Sequence, residues 1–296
     1  DATGKTTLLA PARRYADAID AVFGPRPGQK RGYCGHEEIE LALVRLAHAA
    51  HEPRYLRLVQ YFVDERGRRP HYFDREALAR GEDPAAFWAG GYAYNQAHIP
   101  VREQTEVVGH AVRAMYLYSA MADLALETGD SALAEACRRL WTHLTSRRLY
   151  VTGGIGPSRD NEGFTADYDL PNATAYAETC AAIGLVFWAQ RMTRLERDGR
   201  YADALETALY NGVLSGVSLD GETFFYENPL ASDGQHLRQP WYSCACCPPN
   251  IARLIASVGG YVYAQGDADA VIHLYAHGSG RLSLGGGAVT LRQETV

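Results

Sequence analysis

The chain has 296 residues, 47% of them hydrophobic and 22% charged, with a formal net charge of −6. That composition belongs to a globular chain long enough to bury a core, as one large domain or two. The acidic balance argues against a nucleic-acid or anionic-membrane surface, and no stretch approaches the ~20 apolar residues of a membrane-spanning helix. Six cysteines, two of them adjacent, fit metal or thiol chemistry better than a disulfide framework, and therefore a reducing compartment, the cytoplasm.

In chain order, Gly4-Lys5-Thr6-Thr7 lacks the first glycine of a phosphate loop and follows no strand, so it reads as a solvated loop. Helices are expected over 11–23, over 37–50 (Ile39, Leu43, Leu46, Ala47) and after Pro53 (Leu56, Val59, Phe62, Val63). From 67 to 100 the periodicity stops, while His71, Tyr72, Phe73, Phe87, Trp88, Tyr92, Tyr94 and His98 accumulate. A loop of that length in a compact domain is usually functional, and its aromatic content argues against disorder. Helical spacing returns at Val108, Ala111, Val112, Met115 and Tyr118. Gly129 stops that helix, and Asp130 caps a partner with Leu133, Cys137, Leu140 and Trp141 on one face. A second irregular stretch, 150–172, holds Gly153-Gly154-Ile155-Gly156, Glu162, Asp167 and Asp169.

Helices follow over 180–194 and 201–210. Asp220-Gly221 then predicts a hairpin with strands at 213–219 and 222–226, and Asn250 caps a last helix reaching 263. Short strands at 271–275, 281–284 and 288–292 are separated by Gly turns. Eight helices, mostly paired, before a change of composition near Gln265 imply a mainly α toroid of helical hairpins over 1–264, with a β-rich domain beginning at 265–296.

Two stretches carry chemistry: Glu178-Thr179-Cys180, and Ser243-Cys244-Ala245-Cys246-Cys247-Pro248-Pro249-Asn250. Residues two apart within a helix face nearly opposite ways, so Glu178 and Cys180 share a ligand only at a helix entrance. Pro248 biases Cys247 away from helical angles and places the second stretch at another entrance. Positive helix ends favour thiolates. Three Cys and one Glu make a tetrahedral site that suits zinc, and a closed set of four is more often structural than catalytic. A strained disulfide between Cys246 and Cys247 is the other reading. Cys244 is a bystander, Cys137 core, and Cys34 packing beside His36. Taken alone, His110 is a hydrogen-bonded core histidine, Glu162 a loop carboxylate and Tyr226 a packing residue.

Tyr150-Val-Thr-Gly-Gly-Ile-Gly156, Glu162-Gly-Phe164, Leu170-Pro-Asn172, Tyr176-Ala-Glu-Thr-Cys180 and Cys246-Cys-Pro-Pro-Asn250, with Gly109-His-Ala-Val-Arg113, occur in this order. Together they resemble the β-L-arabinofuranosidases of glycoside hydrolase family 127. The resemblance covers roughly residues 31 to 296 and implies an (α/α)6 barrel followed by β-sandwich domains, here shortened at both ends. It implies a zinc-dependent retaining hydrolase, with Glu178, Cys180, Cys246 and Cys247 as zinc ligands. Cys246 is then the nucleophile, Glu162 the general acid/base, and His36, His110 and Tyr226 the sugar contacts. The expected partner is an arabinose-containing oligosaccharide or glycoside, with a homodimer allowed for and neither nucleic acid nor membrane.

That assignment is chemically coherent. Retaining hydrolysis needs a nucleophile on one face of the anomeric carbon and a proton donor on the other, roles usually filled by two carboxylates. A zinc-held thiolate replaces one of them, and the other, Glu162, then needs a raised pKa to hold its proton. The competing reading is a non-catalytic helical carbohydrate-binding scaffold with a structural zinc site. A third, another α-toroid sugar enzyme such as an epimerase or lyase, leaves the Cys-Cys-Pro-Pro stretch without a role.

Overall fold

The computed structural model describes residues 4–86 and 91–295; Phe87 and Trp88 of the aromatic stretch lie outside them. In chain order the helices are α1 (Leu9–Val22), α2 (Glu38–Ala50), α3 (Arg54–Glu65), α4 (Tyr72–Ala79), α5 (Ala111–Thr128) and α6 (Ser131–Arg147). They continue with α7 (Thr179–Leu195), α8 (Gly199–Thr207), α9 (Cys247–Ser257) and α10 (Gly259–Val262). Strands β1 (Tyr263–Gln265) and β2 (Ala270–Ile272) form one antiparallel pair, β3 (Gly278–Leu284) and β4 (Gly287–Gln293) another. The protein is thus mainly helical, with the start of a β region at its end.

The centre is the pair α5 and α7. Both are buried nearly all round and rich in Ala, which lets neighbours approach from several sides at once. Where they touch, a side chain on Gly184 would meet Met115 Cβ at 2.7 Å, so only glycine fits that approach. α5 packs also on α2 and α6, and α7 on α8 and α9. An aromatic cluster of Tyr118, Trp141, Trp188 and Tyr201 fills the space between α5, α6, α7 and α8. Asp123 and Arg191, both buried, pair across α5 and α7 at 2.6 Å.

Four expectations need correction. The stretch 67–100 contains α4, whose eight residues are too few to show a helical period and bury only Ala77. The hairpin at Asp220-Gly221 keeps its turn, with Gly221 at φ +77°, but its pairing shrinks to the single bridge Val217–Phe224. Upstream, the helix expected to end at 210 runs on as a wide helical turn, Ala208–Val213, burying Ala208, Leu209, Gly212 and Val213, and a further helical turn at Leu214–Gly216 stands where the strand was expected; Phe224 also pairs on its other side with Gln239. Third, α9 begins at Cys247 rather than after Asn250. Pro248 and Pro249 occupy its first turn, where missing N–H groups cost nothing, and Asn250 N–H makes the first helical bond, to Cys246 C=O at 3.2 Å. Last, residue 263 belongs to β1, not to the final helix.

The two irregular stretches meet at the start of α5. Tyr94 C=O accepts from His110 N–H at 3.0 Å, and His110 bridges to Gly163. A Cβ on Gly163 would sit 1.9 Å from Gly109 O, so this contact, like that at Gly184, excludes any side chain.

Candidate active site

Four helix entrances converge on a cavity of about 440 Å³. His36 precedes α2, the His110 side chain caps α5, and Glu178 and Cys246 stand immediately before α7 and α9. All four line the cavity, together with Glu162, Cys180 and Tyr226. Positive helix ends thus point at one space, which favours anions within it. Cys247 is fully buried behind Cys246, which is partly open.

On one wall, the donor atoms of Glu178, Cys180, Cys246 and Cys247 all lie within 4.8 Å of one another. The sulfurs of Cys180 and Cys247 are 3.4 Å apart, those of Cys246 and Cys247 3.7 Å. Glu178 Oε1 is 3.3 Å from Cys246 sulfur and 3.7 Å from Cys247 sulfur. Metal–sulfur bonds of ~2.3 Å at tetrahedral angles put sulfurs about 3.8 Å apart, so this set already has the spacing of a tetrahedral metal site. The second oxygen of Glu178 is buried without a hydrogen-bond partner, as expected of a ligand group. The cluster fits a metal ion. A disulfide between Cys246 and Cys247 is excluded at 3.7 Å.

Burial, then the neighbouring Cys246 charge, pushes the Glu178 carboxyl well above the usual range. Among the three thiols the negative charge settles on Cys246: hydrogen bonding from Cys180 and Cys247 holds it far below a free thiol and raises theirs. Tyr226 Oη adds a contact at 3.1 Å to Cys246 sulfur. The tyrosine is itself fixed, because its C=O accepts from Thr179 N–H at the first turn of α7 at 2.9 Å.

The opposite wall is built on Glu162. Its backbone is left-handed, at φ +49°, held by a turn in which Asn161 Oδ1 accepts from Gly163 N–H and by Ala111 N–H on its C=O at 3.0 Å. Such a conformation costs about 1 kcal/mol or more and persists only when the surroundings impose it. His110 Nδ1 accepts from Val112 N–H at 3.2 Å, which places the ring proton on Nε2, facing Glu162 Oε2 at 3.1 Å. Tyr176 Oη donates to Glu162 Oε1 at 2.8 Å. These two donors, His110 first, hold the carboxyl below its ordinary value against the effect of burial. The expectation of a raised pKa for Glu162 is therefore corrected: it has two donors and is only partly buried, so it is ionised at neutral pH.

His36 also lines the cavity. Its Nδ1 accepts from Glu38 N–H at 3.3 Å, and burial pushes its pKa down to about 4, with Arg113 assisting, so the ring is neutral. The sequence singled out all of these residues but passed over Tyr116, Tyr176, Asn250 and Arg253. Tyr116 Oη accepts from Asn250 at 2.9 Å and from Arg253 at 2.8 Å, closing the floor beneath the thiols. Asn250 reads from sequence as a helix cap, and nothing local singles out Arg253. Pairings across 134 and 137 residues leave no local signal.

Comparison with known proteins came to the same place. The family model for the β-L-arabinofuranosidase GH127 catalytic domain matches residues 1–260. A non-reducing end β-L-arabinofuranosidase of Bifidobacterium longum subsp. longum is 44% identical over 278 residues, covering 90% of this chain and 42% of that protein. The crystal structure of a GH127 β-L-arabinofuranosidase from Geobacillus stearothermophilus T6 superposes with a TM-score of 0.94 at 53% identity, over 99% of this chain and 48% of that one. A further GH127 β-arabinofuranosidase structure gives 0.89 at 44% identity, over 99% and 43%. The chain spans less than half the length of these relatives.

Proposed function

Because the chain belongs to the GH127 β-L-arabinofuranosidase family, we propose that it carries the active site of a retaining glycosidase that releases L-arabinofuranose from β-L-arabinofuranosides. The helical part, ending at Val262, is the catalytic domain, an (α/α)6-type barrel, and the strands from Tyr263 onward, rather than from 265, begin a β-sandwich domain. One observation carries this reading: a half-open thiol, Cys246, faces the same cavity as a carboxyl group with its own hydrogen-bond partners, Glu162. A structural cluster has no need of a half-open thiol, which favours this reading over a binding scaffold.

Zinc is the metal we assign to Glu178, Cys180, Cys246 and Cys247; when bound, it keeps the thiols ionised at neutral pH. The sulfur of Cys246 attacks the anomeric carbon, a C–S bond forms, and the glycosidic C–O bond breaks. Glu162 delivers its proton to the departing oxygen. In the second half Glu162 takes a proton from water, the water oxygen attacks the same carbon, and the C–S bond breaks to return the thiolate. Two inversions give retention.

Glu162 must therefore gain a proton before the first step. A sugar filling the cavity strips water from this carboxyl, and the Cys246 charge acts in the same direction. His36, His110 and Tyr226 supply donors and ring faces to the furanose. The test is hydrolysis of aryl arabinofuranosides of both anomers by the protein as encoded, with and without chelator. Cleavage of the β-L anomer alone, with retention and loss on chelation, is expected. Sugar binding without cleavage of either anomer would establish the scaffold reading.

A further inference from the structure

Glu162 is gripped at both oxygens, and the proposed chemistry accounts for only one of the grips. His110, at Oε2, lines the cavity. Tyr176, at Oε1, is 5% exposed and is not among the cavity-lining residues, so it is not placed to touch a sugar. Its backbone is pinned on both sides: its N–H donates to Pro157 C=O at 3.0 Å, and its C=O accepts from Asn228 N–H at 3.0 Å. Its ring lies 6.2 Å from that of Tyr226, inclined by 54°, and Tyr226 Oη in turn contacts Cys246 sulfur. Two phenols thus span the wall from the acid/base to the thiol.

We propose that Tyr176 is a positioning residue for Glu162: it fixes the carboxyl by one oxygen so that the other, beside the cavity-lining His110, meets the leaving group. The inference rests on the reading of Glu162 as the acid/base. Proton transfer depends on the donor oxygen lying within hydrogen-bond reach of the leaving oxygen, so a carboxyl free to rotate about its terminal torsion loses rate without losing substrate. The phenol also favours the ionised carboxyl. The groups facing Glu162 are His110 from α5, Tyr176 and Glu178 from the entrance to α7, Cys246 from α9, and Tyr94 with Arg113 beyond it.

The experiment is Tyr176→Phe in the metal-loaded protein, assayed on two β-L-arabinofuranosides, one with an alkyl and one with a dinitrophenyl leaving group. The alkyl substrate needs the acid and the dinitrophenyl one does not. The kcat/KM of the alkyl glycoside, which reports the first step alone, should fall by about tenfold or more while that of the dinitrophenyl glycoside holds. The basic limb of the alkyl pH profile should move up by about half a unit or more, since losing the donor raises the Glu162 pKa and keeps the acid protonated to higher pH. The ratio between substrates does not depend on the folded fraction, and equal losses on both would overturn the proposal. Should the phenylalanine variant not fold, 3-fluorotyrosine at position 176 keeps the ring, strengthens the donor and should move the limb down; an unmoved limb overturns the idea. If the wild type cleaves neither glycoside, the activity reading fails on its own. Carbon-13 titration of the Glu162 carboxyl in wild type and Tyr176→Phe then decides the clamp: an upward shift supports it, and none removes it.

Discussion

The two walls of the cavity hold the same residue type in opposite states. Glu178 is buried beside a charged sulfur, has one oxygen without a partner, and is pushed well up in pKa. Glu162 is partly open, has a donor on each oxygen, and is held down. A buried carboxyl group with one oxygen unpartnered and the other among thiols suits a cation; one with a donor on each oxygen is a group whose proton can come and go. Environment, not residue identity, divides the roles, as in other pairs of titratable groups whose pKa values are driven apart.

The largest expected effect breaks the thiol side. Cys246→Ser should lower turnover of a β-L-arabinofuranoside by more than about a thousandfold, since a serine hydroxyl is not ionised at neutral pH. Circular dichroism should remain that of wild type. Next, Glu162→Gln should cost about 10²–10⁴ in turnover of an alkyl glycoside and remove the basic limb of its pH profile. In the wild type, activity should be present below the Glu162 pKa and fall as pH rises through it. Because that pKa is held low in the free protein, kcat/KM should be highest on the acid side of neutrality, which a pH–rate profile checks.

Cys247→Ser sharpens the contrast within the adjacent pair. Cys247 is fully buried and Cys246 is not, so this variant should lose metal, by elemental analysis, together with roughly 10 °C of melting temperature. The smallest effect belongs to the rim. His36→Ala should raise KM by roughly tenfold, the loss of one hydrogen bond to a sugar. Because its ring is neutral down to about 4, that loss should be equal at about pH 5.5 and about pH 8.

Local pattern carried the long helices. α2, α5, α6 and α7 announce themselves by apolar spacing, and Gly129 with Asp130 marks the α5–α6 turn to the residue. The donor set Glu178, Cys180, Cys246 and Cys247 is legible because thiols are scarce and two directly precede a proline pair; the roles come from resemblance. Three kinds of feature escaped. α4 is too short to show a period, and the helical turns at Ala208–Val213 and Leu214–Gly216 run into a stretch, 213–219, that a nearby Asp-Gly turn marks as a strand. The state of Glu162 escaped because it depends on His110 and Tyr176, 52 and 14 residues away. The third is Arg66, fully buried, which donates to Glu37 and Glu40 at 2.8 Å each, to Cys34 C=O at 2.8 Å and to Asn95 C=O at 2.9 Å. It ties the His36 segment to the loop beside His110, and no charge pattern marks it out from twenty-six other arginines.

The division of labour between the walls stands or falls on which atom takes the sugar. Incubation with a slow β-L-arabinofuranoside, acid quench and peptide mass mapping should place one pentosyl group on the peptide containing Cys246, and fragmentation should locate it on that sulfur rather than on Cys247. A pentosyl group on Glu162 or Glu178, or retention of configuration with Cys246 unmodified and dispensable, would contradict the assignment of the thiolate as nucleophile.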